Sequence, residues 1–386
     1  MANLNSWQKI TRVLPGQPFG NGADGALTIS ADTTQSPTDE SCSGTADSTS
    51  LTCASTSLTN NDVLLIHQTR GTGAGQWEIN RVLSGGGTTS ITLQTALHYT
   101  FTDSGASQAQ AIKIPQYTNV TVNSGKTWTA KAWGGDVGGI LVFACKGILT
   151  ITGNILGTGK GYVGAVSSWS GEGYVASGIT QSSSANGNGG GGGNGGDANY
   201  PGCGGGGGGN GTTGTSGSMP SSVSGSPVPG VGGSVSGSAD GITLIPGGAA
   251  GGGKSTSGSG VGGSGGSGGS VILIFTKQIA EITGTIISGG GAGQNGTTGD
   301  AVAGDGGGGA GGSVLIVCQI AVIGTSKITT PAGTGTTGGG AGGIGGVGRI
   351  AVHHSDTITG TTTPSFTDVE DSTLIESSGA FIFNLV

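Results

Sequence analysis

Charged residues are scarce in this 386-residue chain, at 9% of the sequence against about 25% in an average domain. The net charge of −7 at pH 7 is spread thinly, and lysine and arginine form no cluster. Nucleic acids and anionic membranes bind basic patches. The sequence therefore predicts neither a nucleic-acid partner nor membrane insertion.

Hydrophobic residues are also few, at 33%, and no apolar run is long enough to span a bilayer. Disordered chains combine low hydrophobicity with high charge, and since the charge is missing here, a folded chain is expected. Residues 1–16 contain no apolar h-region, so no Sec signal peptide is predicted. A surface-type composition without such a peptide is typical of phage structural proteins. The predicted location is a phage virion or an extracellular surface.

Proline and cysteine are sparse as well. Eleven prolines are too few for collagen. The five cysteines have no metal-type spacing, and their odd number leaves at least one thiol unpaired. Cys42 and Cys53 bracket a polar stretch and are candidates for a disulfide that closes a short hairpin. Cys145 and Cys318 lie in apolar strand patterns and are expected to be buried free thiols.

What is abundant is glycine, with 90 residues, together with an internal repeat. Each copy has a glycine pair, a β-branched strand, a short corner and a second strand, and the copies start at residues 138, 268, 311 and 345. Strands are indicated because β-branched residues dominate runs that glycine bounds. The unequal spacing between copies excludes a regular short-period β-helix.

The predicted fold class is all-β: a small N-terminal β-domain followed by an irregular β-solenoid with glycine-rich, polyglycine-II-like insertions. The predicted boundaries are 1–116 for the β-domain, 117–360 for the solenoid and 361–386 for a C-terminal strand used in assembly. The N-terminal domain is expected to cap the solenoid, since an open coil end is an exposed sheet edge.

The glycine tracts allow two interpretations. One is flexible linker. The other is polyglycine-II packing, because residues 262–269 repeat every three residues and a left-handed helix with three residues per turn tolerates only glycine at crowded contacts. Ordering these tracts costs about 1–2 kcal/mol per residue, so ordered tracts require a dense network of backbone hydrogen bonds.

Motifs that suggest catalysis are weak. Residues 248–255 match a P-loop pattern, but the glycine- and serine-rich stretch that follows does not predict the helix that a P-loop opens. His353 and His354 are adjacent on a predicted strand, so they point to opposite faces. The sequence predicts a protein that is not an enzyme and has no catalytic residues, metal site or cofactor. A β-helical glycan-degrading enzyme, with a carboxylate pair not evident in the sequence, is the third alternative.

The loop after the first repeat carries three aromatic residues in a chain with only 4% aromatics. Either these rings pack against the body, or they form a receptor-contact patch, as aromatics on Gly/Ser loops do in binding surfaces. The candidate contact residues are Tyr162, Trp169, Tyr174 and Tyr200.

The chain ends suggest a competing role in self-assembly. The short apolar C-terminus is a liability if left free, and it can pair with a neighbouring molecule by strand addition. The assembly candidates are Trp7, Phe381, Phe383 and Val386. On this alternative the chain is a subunit of an extracellular filament or surface layer.

The chain resembles a diffuse family of glycine-rich β-solenoid proteins from phage tails and bacterial surfaces. The resemblance rests on residues 119–125, the repeated strand units, residues 348–352 and the opening 19–29. The glycine tracts are also similar to those of the tip adhesins of T-even-like phages, which display host-binding loops. The resemblance implies a tail-fibre or adhesin protein that binds a host receptor or glycan, or copies of itself, within an oligomer or larger assembly. No catalytic residues come with it.

Overall fold

The computed structural model describes residues 17–178, 181–194, 202–220, 227–254, 261–297, 303–337 and 340–374. Within these ranges the secondary structure is all strand, without a helix. The strands are β1 (Leu27–Ile29), β2 (Thr33–Thr34), β3 (Asp39–Ser43), β4 (Ser50–Cys53), β5 (Val63–Arg70), β6 (Trp77–Ser84), β7 (Ser90–Leu93), β8 (Gln108–Lys113), β9 (Gln116–Tyr117), β10 (Val120–Val122), β11 (Thr127–Thr129), β12 (Ile140–Ile151), β13 (Asn154–Leu156), β14 (Val271–Ile282), β15 (Thr285–Ile287), β16 (Ser313–Thr329), β17 (Arg349–His354), β18 (Ile358–Thr363) and β19 (Thr367–Glu370).

Strands β3 to β8 close into an antiparallel barrel in the order β3-β4-β7-β6-β5-β8. Burial alternates along β4, as expected for a strand with one face in the core. Strand β5 is buried throughout because its two faces contact different cores. Leu64 and Ile66 point into the barrel, while Val63 and Leu65 join a cluster shared with the rest of the molecule.

The other 13 strands form a parallel sheet. Its main path runs β1-β10-β12-β14-β16-β15-β13-β11-β2. Strand β16 has 17 residues and pairs with both β14 and β15, so the sheet turns back on itself there. Since β1 and β2 follow each other in the chain, the two arms return to the same place and the sheet nearly closes.

The repeated segments lie in register in this sheet. Phe143, Ile274 and Ile316 are successive partners, and all three point into the core that the sheet encloses. Val142 and Leu273, one residue along, point the other way and contact the barrel. Parallel strands covered on both faces consist of near-continuous apolar runs, which explains the repeated motif.

The structure is all-β, but the prediction of an irregular β-solenoid is wrong. The molecule instead combines a closed six-stranded antiparallel barrel with a nearly closed parallel sheet. The corners predicted between paired strands are absent from β12, β14 and β16, which continue for 12, 12 and 17 residues. These long strands pair with one another along most of their length, with register shifts between β12 and β14, and so build one wrapped sheet.

The predicted domain boundaries remain predictions. The barrel strands lie between Asp39 and Lys113, whereas β1 and β2 pair with the parallel sheet. Strands β18 and β19 also belong to that sheet, and residues 375–386 lie outside the described residues.

Polar side chains fix the barrel to the segment that precedes the glycine tract at 247–254. The Trp77 indole donates to the Gly241 carbonyl at 3.1 Å. The Nε2 atom of His67 lies 2.9 Å from the Leu244 carbonyl oxygen, and the ring is fully buried. Burial lowers the pKa of His67 from 6.5 to about 4, so the ring is neutral at pH 7 and Nε2 donates this hydrogen bond.

Candidate functional site

The glycine-rich segments pack into one body, called here the glycine layer. Few of its residues belong to regular strands, yet most of its glycines are buried. It comprises residues 187–194, 202–211, 212–218, 230–236, 247–254, 261–269, 289–297, 303–312, 331–337 and 340–348.

The tract at 202–211 lies in the middle of this layer, and its amides follow a period of three. The amides of residues 204 to 209 donate, in order, to the carbonyls of Ser218, Asp305, Gly191, Thr215, Gly308 and Asn188. Every third amide therefore reaches the same neighbouring tract. Three tracts, 212–218, 303–312 and 187–194, accept from the central one.

The carbonyls of the central tract show the same period toward three other tracts. The carbonyls of residues 204 to 209 accept, in order, from the amides of Gly230, Gly343, Gly251, Gly233, Gly346 and Gly248. The central tract is thus surrounded by six neighbours, and the backbone groups of this run are hydrogen-bonded without any side chain. This network satisfies the buried peptide groups, each of which is costly to leave unpaired.

Close approach of the tracts explains why the residues are glycine. A Cβ atom on any of residues 204 to 209 would lie 1.9–2.3 Å from a carbonyl oxygen of a neighbouring tract. The obstacle is backbone, so a side chain here must push a whole tract aside.

At an edge of the layer, side-chain hydroxyl groups accept the hydrogen bonds of three backbone amides. The amides of Val347, Ile344 and Ala341 donate to the hydroxyls of Thr212, Thr215 and Ser218, at 3.0, 2.7 and 2.8 Å. The same Thr and Ser residues donate their own amides back to these three partners. The spacing of three residues puts each hydroxyl on the same side of its tract.

A buried polar cluster joins the glycine layer to the barrel. Glu172 forms an ion pair with Arg70 of β5, accepts from the Trp133 indole at 2.9 Å and accepts from the Val163 amide at 2.9 Å. Burial raises the pKa of Glu172, while its hydrogen bonds and Arg70 oppose that rise. The cluster holds the loop at 161–178 against the barrel.

Two of the predicted receptor-contact residues belong to this junction. Tyr162 is fully buried and donates its hydroxyl to the Thr69 carbonyl, so its ring is not available to a receptor and the packing interpretation applies instead. Tyr174 is partly buried against the apolar cluster of Trp133, Tyr162, Ile245 and Ala249.

Trp169 is the predicted contact residue that lies at the end of the layer remote from the sheet, and its side chain is half-buried. Tyr200 lies outside the described residues, as do the assembly candidates Trp7, Phe381, Phe383 and Val386. Their predicted roles remain predictions.

Cys42 and Cys53 are directly opposite each other on β3 and β4. Both thiols are free and buried in this structure, and burial raises the pKa of each, that of Cys53 to about 12. The cross-strand position agrees with the hairpin that the disulfide prediction assumed, and the disulfide itself remains a prediction. Cys145 and Cys318 are buried and free.

At the end of the glycine layer away from the sheet, called here the outer end, the described residues include Cys203, Lys254, Gly304 and Gly340. The tracts that contain Gly304 and Gly340 run from this end into β16 and β17 of the sheet. Lys254 donates its amide to the Cys203 carbonyl and accepts from the Gly304 amide, while Gly304 and Gly340 form a parallel bridge.

Two small polar cavities at this end are lined by the residues on either side of Trp169 in the chain. The first, called the lysine cavity, has a volume of about 100 Å³. The second, called the serine cavity, has a volume of about 150 Å³. Ser168 lines the first, Ser170 lines the second, and Ser182 lines both.

The residues that line these cavities were not predicted from the sequence. Lys254 lies within the P-loop-like pattern at residues 248–255, and no sequence motif includes Gln181 to Ser183. The one usable indication was the position of Trp169 in a Gly/Ser loop.

Among the described residues, no group of three or more His, Cys, Asp or Glu side chains could hold a metal ion. The described part of the chain also has no helix suited to crossing a membrane. Comparison of the chain with family models, curated proteins and solved structures found no match.

Proposed function

We propose that this chain is a non-enzymatic recognition protein of a phage tail fibre or a cell surface, located on a virion or outside the cell. In this proposal the outer end of the glycine layer presents the loop that carries Trp169 to a host receptor or surface glycan. The main support for this proposal is the packing of the central tract against six neighbouring tracts. This packing gives the loop a rigid base. Binding residues are disproportionately found on loops that a rigid scaffold positions.

We further propose that the glycine layer is polyglycine-II-like. Hydrogen bonds that return to the same neighbour every third residue fit an extended helix with three residues per turn. Such a layer needs no side chains in its interior.

Adsorption to cells tests the recognition function. Labelled protein is incubated with a panel of bacterial strains and the bound fraction is measured. The proposal expects adsorption to at least one strain and its loss in Trp169→Ala, whereas Leu83→Ala, a change at an exposed barrel residue, leaves it unchanged. Adsorption to none of the strains, or equal effects of the two variants, would contradict the proposal.

A self-assembling filament is the second candidate, because β1 and β2 end the two arms of the parallel sheet and, among the described residues, each pairs with one strand only, β10 and β11 respectively. Open strands of this kind accept another chain. At the other end, β19 carries Asp368 and Glu370 with exposed side chains, and charges on an edge strand oppose edge-to-edge pairing. The charged edge favours the recognition function.

Electron microscopy of the intact chain and of a copy lacking residues 380–386 separates the two candidates. Uniform short particles from both chains agree with the recognition function. Long fibres from the intact chain that disappear on deletion would make the filament the primary role.

A further inference from the structure

We propose that the lysine cavity, together with Trp169, binds an acidic sugar, meaning a sugar residue that carries a carboxylate or a phosphate. This inference rests on the proposed recognition function and names the class of ligand.

The charge at the site favours an anion. Lys254 lines the cavity and is half-buried, and among the described residues its ammonium group forms no ion pair. None of the described residues that line either cavity is acidic. The described residues that line the cavity therefore carry a single charge, which is positive, and a hydrogen bond between charged groups is about twice as strong as a neutral one.

The other groups in the cavity are those that bind sugar hydroxyls. Gln181 and Ser183 contribute an amide and a hydroxyl group beside Lys254. Each can donate and accept hydrogen bonds, as the hydroxyl groups of a sugar require. The serine cavity, which shares Ser182 with the lysine cavity, offers hydroxyls for a second sugar unit.

Backbone hydrogen bonds hold Trp169 to the glycine tract at 247–254. The Ser168 amide donates to the Gly253 carbonyl at 2.8 Å, and the Trp169 carbonyl accepts from the Gly252 amide at 3.0 Å. Ser168 has a φ of 64°, a conformation that non-glycine residues rarely adopt and that is concentrated at binding sites. This turn places Trp169 in the chain between Ser168, which lines the lysine cavity, and Ser170, which lines the serine cavity. The half-buried indole is not itself a lining residue, and in this proposal its apolar face packs on the part of the sugar that extends out of the cavity.

Calorimetric titration of the full chain with matched pairs of sugars tests the proposal. The carboxylate pair is trigalacturonate and maltotriose, and the phosphate pair is glucose 6-phosphate and glucose. We expect at least one acidic probe to bind about tenfold more tightly than its neutral partner, since one charge-assisted hydrogen bond contributes this much. The two pairs show whether carboxylate or phosphate is preferred, and inorganic phosphate alone is expected to bind more weakly.

Lys254→Gln is expected to abolish the preference for the acidic probe without changing the binding of the neutral one. Lys146→Gln, which makes the same charge change at an exposed residue of β12, serves as the control and is expected to keep the preference. Trp169→Ala is expected to weaken the binding of both the acidic and the neutral probes. Thermal melting of each variant verifies that it folds.

The proposal is overturned if no acidic probe binds more tightly than its neutral partner. It is also overturned if Lys254→Gln and Lys146→Gln have the same effect on this preference. Cell adsorption separates this outcome from failure of the recognition function. Adsorption to cells without discrimination between the probes would support the recognition function and contradict the acidic-sugar site. Binding of an acidic probe without adsorption to any strain would support the site and contradict the recognition function.

Discussion

At the scale of single residues, the glycines of this chain fall into two physical groups. Some, such as Gly135 and Gly159, have positive φ angles of 102° and 64° and make turns possible. The glycines of the central tract instead have no room for a side chain, since a Cβ on Gly208 would lie 1.9 Å from the Gly248 carbonyl oxygen. The high glycine content therefore reflects packing of backbone on backbone more than flexibility.

Gly208→Ala tests this distinction. We expect a loss of at least about 3 kcal/mol in the free energy of unfolding, which is the range of severe overpacking and of broken buried hydrogen-bond networks. Gly134→Ala is the matched control, because its Cβ would lie 3.5 Å from its nearest neighbour, and it should change stability by no more than about 0.5 kcal/mol. Chemical denaturation measures both. Equal stabilities would contradict tight packing of the central tract.

At the scale of elements, each tract depends on neighbouring tracts for the hydrogen bonds of its backbone. A three-residue period spreads the hydrogen bonds of one tract over six others, whereas a β-strand bonds to two at most. Edge tracts have fewer neighbours, and the hydroxyls of Thr212, Thr215 and Ser218 compensate by accepting amide protons.

Thr215→Val should speed amide hydrogen exchange at Ile344, because the isosteric methyl group cannot accept this proton. The free energy cost is expected to be about 1 kcal/mol, the usual value of one hydrogen bond, since the site is exposed. Thr215→Ser keeps the hydroxyl and should preserve the protection. Exchange measured by mass spectrometry on residues 340–348 checks both, and equal protection in the two variants would exclude the capping role.

At the scale of the whole molecule, the barrel, the parallel sheet and the glycine layer share buried contacts. Barrel residues Val63, Leu65 and Trp77 lie in one apolar cluster with residues of β12, β14 and β16. The Arg70–Glu172 pair joins the barrel to the loop that carries Trp169. The barrel thus supports both other parts through buried side chains.

His67 makes this junction sensitive to acid. Its pKa is lowered from 6.5 to about 4 by burial, so below pH 6.5 the unfolded chain binds a proton that the folded chain does not. Stability contributed by neutral His67 is therefore present above pH 6.5 and falls as pH drops toward 4, by at most about 3 kcal/mol.

Denaturation curves between pH 7 and pH 4.5 for the natural chain and His67→Gln test this effect. The variant retains a donor for the Leu244 carbonyl and does not titrate, so its stability should fall less with acidification. Parallel pH profiles for the two proteins would show that His67 does not contribute.

The sequence alone determined the all-β class and the strand-forming repeats, and it offered close packing of the glycine tracts as one of two interpretations. These follow from local properties: β-branched runs form strands, and period-three glycine segments pack only where side chains are absent. The sequence also indicated Trp169 as a candidate contact residue, since an aromatic residue in a Gly/Ser-rich segment can be recognised without knowledge of the fold.

Only the tertiary structure decided how these pieces join. Strand lengths and partners closed the barrel and wrapped the sheet, because pairing depends on residues far apart in the chain, as in β13 and β15. The same long-range packing buried Tyr162 and brought Lys254 beside Ser168 and Gln181. A side chain's exposure and its neighbours depend on the folded path of the chain, and local sequence does not contain that path.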